Sequence, residues 1–317
     1  MLSVALCTYN GVHYIADQLQ SILTQTMPVD EIVICDDGSI DDTLGIIEQI
    51  KASTSIPIHI HRNEKPIGVS NNFQKAINLC QGDIIFLSDQ DDIWIPQKVQ
   101  TIIDFFNNNK HVSTVFTNAQ LIDDNNNPIG NYLFDYFFDT ISHTLFDKGL
   151  VAERFAYSNC ATGATMAIHK KRYGYIQFSE YCGGEILHDY AIAIKAIANN
   201  ALAYIDTPLI NYRIHSNQSV GLNCEVPPIN NWRKPFIGNY IPFLQIAKSE
   251  TLDNRIHFFE FRQQTKYSPH GALKAILQLP TYLKYYNFRG LSLMLFDIFT
   301  SLKHTLHQII KKCNTTA

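Results

Sequence analysis

No two cysteines in this chain stand in a CxxC spacing, and the seven it has, at 7, 35, 80, 160, 182, 224 and 313, make an odd number. That argues against a disulfide framework and against a zinc ribbon, and fits a reducing cytosol. No run of 18 apolar residues occurs, so no transmembrane helix is expected. The opening MLSVALCTYNGVHY has no basic stretch ahead of a long apolar one, so no secretory signal is expected either. Glycine and proline, 15 and 12 of 317 residues, are too few for a collagen-like or low-complexity chain. Charged residues are sparse at 17% against 46% hydrophobic, the reverse of a disordered composition. What remains is one large globular domain or two tightly joined ones.

The net charge of −4 is unevenly spread. Residues 1–100 carry 5 Lys/Arg against 13 Asp/Glu, 101–230 carry 8 against 12, and 231–317 carry 12 against 4. An acidic front suggests cation-dependent chemistry, and a basic tail of +8 suggests an anionic surface as its partner.

Strand and helix signals alternate from the start. Leu2–Cys7, Glu31–Cys35, Ile56–His61 and Asp83–Ser88 are short apolar runs. Tyr14–Gln25, Thr43–Ala52 and Asn71–Cys80 lie between them and read as helices, the first with apolar residues at helical spacing and the second capped by Asp41 or Asp42. Strands without polar alternation, separated by helices, predict a parallel sheet covered on both faces. Further strands are expected at Thr114–Thr117, Ala164–Ile168 and Ala201–Ile205, with a helix over His188–Asn199. The Asn- and Asp-rich stretch 107–131 reads as loops around one short strand, 132–160 as a helix or lid, and 236–264 and 270–312 as helices.

Ligands of such sheets bind beyond the carboxyl ends of the strands. Three polar clusters fall there: Thr8-Tyr9-Asn10, Asp36-Asp37-Gly38-Ser39 and Asp89-Gln90-Asp91-Asp92. Three carboxylates in four residues repel one another unless a cation or hydrogen-bond donors neutralise them. A divalent ion such as Mg²⁺ or Mn²⁺, held by one or two carboxylates and phosphate oxygens, would do so; a solvated acidic loop is the alternative. Asp36-Asp37-Gly38-Ser39 could accept hydrogen bonds from a nucleobase or ribose, or simply cap the next helix.

The order and spacing of CTYNG, ADQLQSILTQT, EIVICDDGSIDDT, IGVSNNFQKAI and GDIIFLSDQDDIWIPQK over residues 2–100 resemble the inverting family 2 glycosyltransferases of the GT-A fold. ATGATMAIHKK (161–171), LHDYAIA (187–193) and NYRIHSNQSVG (211–221) resemble that family's rhamnosyltransferase-like branch. The resemblance, which covers about residues 1–221, implies an α/β, Rossmann-like and mostly parallel sheet flanked by helices, with a nucleotide-sugar-binding half at 1–110 and an acceptor-binding half at 111–235. The residue pattern of the tail adds a C-terminal helical extension, a basic region at 236–317. Thr8, Tyr9, Asn10 and Asp37 would contact base and ribose, with Asp36 and Asn72 as further candidates. Asp89 and Asp91 would hold the metal that bridges the diphosphate, and Asp189 would be the catalytic base. Arg213 could pair with phosphate and His215 could add a metal contact; a surface arginine and a packing histidine are the alternatives. For His188-Asp189 the alternative is an ordinary helix N-cap, and Gly163 is expected to be structural.

The implied reaction moves a sugar from a nucleoside-diphosphate donor to a saccharide or polyprenyl-linked saccharide, as in O-antigen, capsule or other cell-surface polysaccharide assembly. Rhamnose from dTDP-rhamnose is the first choice, followed by a UDP-hexose or UDP-galactofuranose. The QxxRW element of processive polymerases is missing, which argues for transfer of one or a few sugars. Tyr190 is followed by Ala191 rather than by a second aromatic, so acceptor contacts there are open. A nucleotidyltransferase would need a Gly-rich basic loop after the first strand, which TYNGVHY lacks. A catalytically inactive sugar-nucleotide-binding scaffold is the rival outside enzymes. For the basic tail, contact with the cytoplasmic face of the inner membrane competes with a homodimer through C-terminal helices; nucleic acid is not expected, for want of a motif.

Overall fold

The computed structural model describes residues 1–137, 159–174 and 187–216, with positions 151, 155, 177, 218, 276, 277, 298 and 302 besides. The chain divides into two units, Met1–Lys234 and Pro235–Ala317, and every strand below belongs to the first. The helices expected over 236–264 and 270–312, and most of the lid expected over 132–160, lie outside the described residues. Among those residues, no helix is long and apolar enough to cross a membrane.

The first half alternates β1 (Leu2–Thr8), α1 (Ile15–Leu23), β2 (Glu31–Asp36), α2 (Thr43–Ser53), β3 (Ile58–Arg62), α3 (Val69–Leu79) and β4 (Ile84–Ser88). α1 forms because Ile15, Leu19 and Ile22 recur on one face, and all three are fully buried. β2 is buried at all six positions, which is why its apolar run does not alternate. Each fully buried Ile, Leu or Val contributes about 1.5–3 kcal/mol, and a whole domain is stable by only about 5–15 kcal/mol. The strand ends anchored by this core are therefore held firmly.

Beyond β4 come β5 (Ile93–Trp94), α4 (Lys98–Asn108), β6 (Thr114–Ile122), β7 (Pro128–Tyr132) and α5 (Leu133–Phe137). A 3-10 turn at Gly163–Thr165 then leads to β8 (Ala167–His169), α6 (Lys170–Tyr173), α7 (His188–Ala198) and β9 (Leu202–Arg213). The described strands form one sheet in the order β3-β2-β1-β4-β8-β6-β9-β5, with β7 on β6. β1 to β4 are parallel, as are β6 and β9; β5, β7 and β8 run antiparallel to their neighbours. This is the mostly parallel α/β sheet expected of the GT-A fold.

Three expected stretches, now covering β6 to β9, differ in the structure. The loops expected across 107–131 contain the longer β6 and the added strand β7, and only Asp123–Asn127 between them turns. That turn is tight because Asp123 Oδ1 accepts from the Asn125 and Asn127 backbone N–H groups, at 2.8 and 2.9 Å, and Asn126 takes φ +67°. The strand expected at Ala164–Ile168 begins only at Ala167, because the backbone and hydroxyl of Thr165 both donate to the Thr162 carbonyl. The strand expected at Ala201–Ile205 continues through Pro208 to Arg213. Pro208 lies opposite Asn118, where the β6–β9 register shifts and the ladder can do without its N–H.

Candidate active site

β1, β2 and β4 end side by side. Thr8 registers with Asp36 and Leu6 with Ser88, so the three polar clusters leave the sheet at one rim. Gln90 clamps two of them together. Its Oε1 accepts from the Tyr9 N–H at 2.8 Å, and its Nε2 donates to the Tyr9 carbonyl at 3.0 Å. Asn10 sits in the left-handed region (φ +50°), which asparagine tolerates. There its Oδ1 accepts from Ile40 N at 2.9 Å, and its own N–H donates to Ser39 Oγ at 2.9 Å. A side chain at Gly11 would overlap Gln90 Oε1, so the clamp requires glycine there.

Asp36 is fully buried and its carboxylate is spent inside the protein. It accepts from Thr8 Oγ1 at 2.8 Å, from the backbones of Gly38 and Ser39 at 3.1 and 2.8 Å, and from the Ser39 hydroxyl. Asp37 holds the next loop: Oδ1 accepts from Asn63 Nδ2 and Ile67 N, each at 2.8 Å, and Oδ2 from Gly68 N at 2.9 Å. Asn72 is buried between α3 and β2, where its Nδ2 donates to the Cys35 carbonyl at 2.7 Å and its Oδ1 accepts from Asn63 at 2.9 Å. Cys7 marks how the rim continues. Desolvation raises its thiol pKa, then Cys35, Asp89 and Asp37, which places it among groups from all three strand ends.

The acidic loop meets residues from more than a hundred positions later because β5, directly after it, pairs antiparallel with β9. Ile93 registers with Asn211 and Trp94 with Ile210. Asp91 and Asp92 are thereby set against Arg213 and His215. His215 Nε2 lies 2.9 Å from Asp91 Oδ2. The Arg213 backbone donates to Asp92 Oδ1 at 3.0 Å, and its Nε donates to the Asp91 carbonyl at 2.7 Å. Nη1 reaches the carbonyls of Asp123 and Asp124 at 3.0 and 3.2 Å. Arg213 is 1% exposed, so it is a buried clamp between the acidic loop and the β6–β7 turn rather than a surface arginine. Only its Nη2 has no hydrogen-bond partner. Tyr14 completes this side, with Arg213 4.8 Å above its ring, the His215 ring at 4.7 Å, and its hydroxyl donating to Asp124 Oδ1 at 2.7 Å.

Asp189 opens α7. It is not the N-cap, which is Leu187; its Oδ1 accepts from Tyr190 N at 2.6 Å. Burial pushes its carboxyl up to about 6, against the opposing pull of hydrogen bonds from Tyr190, Gly163 and Asn159. Asp89 is pushed up to about 7 by desolvation, then by Asp91 and Asp189, so the loop and the head of α7 share one electrostatic neighbourhood. Desolvation, then Asp91 and Asp89, also raise Asp92 strongly, and its Oδ2 is buried with no hydrogen-bond partner. Lys98 is the positive charge that counts against both Asp89 and Asp92. It is fully buried 4.0 Å above the Trp94 ring, donates to the Ala164 carbonyl at 3.0 Å, and is brought down to about 7 by burial despite Asp92 and Asp89.

The profile of the family "Glycosyl transferase family 2" matches residues 3–171, more than half of the chain. This chain belongs to glycosyl transferase family 2. It is 32% identical over 230 residues to a Shigella flexneri dTDP-rhamnosyl transferase, RfbG, covering 69% of this chain and 74% of that protein. It is 34% identical over 110 residues to an Escherichia coli UDP-Glc:alpha-D-GlcNAc-diphosphoundecaprenol beta-1,3-glucosyltransferase, WfaP, covering 35% and 43%. Of an E. coli chondroitin synthase, 35% identical over 131 residues and 41% of this chain, it spans only 19%. Among solved structures, S. aureus TarS with UDP-GlcNAc superposes over 96% of this chain and 89% of that one, at TM-score 0.58 and 15% identity. A Pyrobaculum calidifontis mannosyltransferase with GDP-Man and Mn²⁺ does so over 96% and 86%, at 0.52 and 15%. At such identities the structural likeness speaks for the fold alone.

In this family 2 enzyme, no group of three or more His, Cys, Asp or Glu among the described residues is placed to hold a metal ion by itself. Asp91 Oδ2 and His215 Nε2 nevertheless form a converging pair. A divalent ion on a diphosphate needs only one or two protein ligands, because phosphate oxygens and water fill the rest of its shell. The crowding of Asp89, Asp91 and Asp92, which Lys98 offsets only in part, adds to the fit.

Sequence reasoning missed Gln90, Lys98 and Tyr14. Gln90 was hidden by the carboxylates around it, and no local signal shows that the lysine of IWIPQK is buried. Gly163 is structural as expected, but what it admits is the head of α7: a Cβ there would lie 2.6 Å from His188 Nε2 and 3.6 Å from Asp189 Cβ. Gly163→Ala should therefore destabilise the fold by about 1–3 kcal/mol in urea unfolding and lower kcat more than donor KM rises. Unchanged kinetics would show that α7 accommodates the methyl.

Proposed function

We propose that this family 2 enzyme transfers a single sugar from a nucleoside-diphosphate donor, with inversion at the anomeric carbon and with a divalent cation on the diphosphate. The observation that carries the reading is the convergence at one rim of Asp37, Asp89 and Asp91 with the desolvated Asp189. Asp189 is the base. A carboxyl held near 6 is mostly ionised at neutral pH yet more basic than an ordinary aspartate. It takes the proton of the acceptor hydroxyl as that oxygen bonds to the anomeric carbon, and the carbon–oxygen bond to the nucleoside diphosphate breaks on the opposite face. Asp91 and His215 would hold the cation with Asp89 beside them, and the bound ion would supply charge neutralisation for the departing diphosphate. Arg213 contributes by fixing the Asp91 backbone, and its buried guanidinium adds positive charge behind the acidic loop.

Tyr9, Asn10 and Asp37 border the nucleotide side, Tyr9 and Asn10 being exposed. Thr8, Asp36 and Asn72 are buried behind them and shape the loops, their polar atoms spent on other protein groups. Rhamnose from dTDP-rhamnose is the favoured donor on the likeness to RfbG, which covers 69% of this chain. A UDP-hexose or UDP-galactofuranose is the second choice, and a saccharide or lipid-linked saccharide the acceptor, a reading that WfaP's substrate supports. The +8 tail suits the anionic cytoplasmic face of the inner membrane. Proton NMR of the product formed from dTDP-rhamnose and from UDP-sugars tests this reading. The expected product has the anomeric configuration opposite to the donor's; retention would overturn single displacement, and product from UDP-sugars only would replace the donor.

A further inference from the structure

His188 lies beside the proposed base but is not part of the proposed chemistry. Burial drives its ring strongly toward the neutral form, with a pKa of about 3, so it neither gives nor takes a proton near neutral pH. Its surroundings are specific. The ring stacks on Phe73 of α3 with centroids 4.0 Å apart and planes at 19°. Its backbone N–H donates to Ser70 Oγ of α3 at 3.1 Å. On the other side only a glycine, Gly163, leaves room for Nε2.

α3 is also the helix that follows the loop held by Asp37. The carboxylate receives the N–H groups of Ile67 and Gly68, and α3 starts at the next residue, Val69. A continuous path of contacts thus runs from Asp37 through Ile67-Gly68, the first turns of α3 at Ser70 and Phe73, and His188 to Asp189. A path of packed side chains and short hydrogen bonds can set the distance between two functional groups to within a fraction of an ångström.

We propose that Ser70, Phe73 and His188 form a strut that positions Asp189 relative to the nucleotide-side loop, with His188 as a positioning residue for the base. This rests on the reading of Asp189 as the base. Removing the imidazole leaves a space beside Asp189 that water can enter, while the donor side of the rim keeps its own contacts. The groups facing Asp189 are the N–H groups of Tyr190 and Gly163, the Asn159 side chain, the Tyr212 phenol and, across the rim, Asp89.

The test compares His188→Ala, His188→Phe and Ser70→Ala with the wild-type enzyme and with Asp189→Asn. For His188→Ala, kcat should fall at least about tenfold, with donor Kd within about twofold. The acidic limb of the pH–kcat profile should move down by about one unit as Asp189 is resolvated. His188→Phe, which keeps a ring on Phe73, should recover most of kcat and the original midpoint. Should His188→Ala fail to fold, Ser70→Ala decides, with an expected loss of about threefold in kcat at unchanged donor Kd, about the effect of one neutral hydrogen bond. An unmoved pH midpoint in His188→Ala, loss of kcat and donor affinity in parallel, or a silent Ser70→Ala would overturn the strut. Transfer surviving in Asp189→Asn would instead overturn the assignment of the base, so the two failures are distinct.

Discussion

On the proposed mechanism, Asp189→Asn should lower the rate of transfer by about 10²–10⁴-fold, the usual contribution of a general base, while donor affinity should stay nearly unchanged. The amide keeps the shape of the carboxyl and can still accept from Tyr190 N, so α7 keeps its start. What disappears is the site proposed to take the acceptor's proton. In the wild-type enzyme, kcat should rise with pH through about 6 as Asp189 loses its proton, because only the ionised form accepts one. The rise should be absent from the residual rate of the variant. Stopped assays at pH 5 to 8 with saturating donor read both effects. Full activity in Asp189→Asn would assign the base to another residue.

Asp91→Ala is expected to cost about 10²–10³-fold in turnover, the scale seen when charge developing in the transition state loses a stabilising partner. It should also remove the dependence on Mn²⁺. The thermodynamics of the free protein carry the same signature. Asp89 and Asp189 are held near 7 and 6, above an ordinary carboxyl, and Asp92 is raised as well. The folded protein therefore binds more protons than the unfolded chain between about pH 4 and 7. The stability these groups contribute is greatest at low pH and is lost as pH rises through that window. Lys98 acts in the opposite sense only above about 7, where its lowered pKa begins to favour the fold. A divalent ion competes with protons for the same oxygens. Mn²⁺ should thus raise the melting temperature more at pH 7.5 than at pH 5, by about 5 °C at a hundredfold excess over Kd, and by much less in Asp91→Ala.

The parts of the site that were legible in the sequence are those where local pattern and chemistry agree. β2 could be read because it is buried on both faces and carries no polar interruption before Asp36. The acidic loop could be read because three carboxylates in four residues demand an explanation anywhere. β6 could not be read to its end. Asn118 and Gln120 look like loop residues, yet they lie inside the sheet and bond to its neighbours. Asn118 alone accepts from Ala119 N and Phe134 N and donates to Asp206. The same limit hid the second half of the site. That Arg213 is buried, and that His215 meets Asp91, follow from the register of a two-residue strand, β5, on β9. A strand so short has no periodicity to detect, and Pro208 interrupts the pattern of its partner. Asp36 shows the converse limit: the motif marks a residue whose chemistry is visible, but only the structure shows its oxygens engaged by Thr8, Gly38 and Ser39.

Calorimetric titration of the donor into wild-type enzyme and Asp91→Ala, each with and without Mn²⁺, reads the cation–diphosphate site without any turnover. With dTDP-rhamnose the wild-type affinity should improve at least about tenfold on adding Mn²⁺, a gain of about 1.4 kcal/mol, and Asp91→Ala should bind the donor weakly and identically in both conditions. Donor affinity indifferent to Mn²⁺ in the wild type, or an Mn²⁺ response preserved in Asp91→Ala, would contradict the placing of cation and diphosphate at this rim.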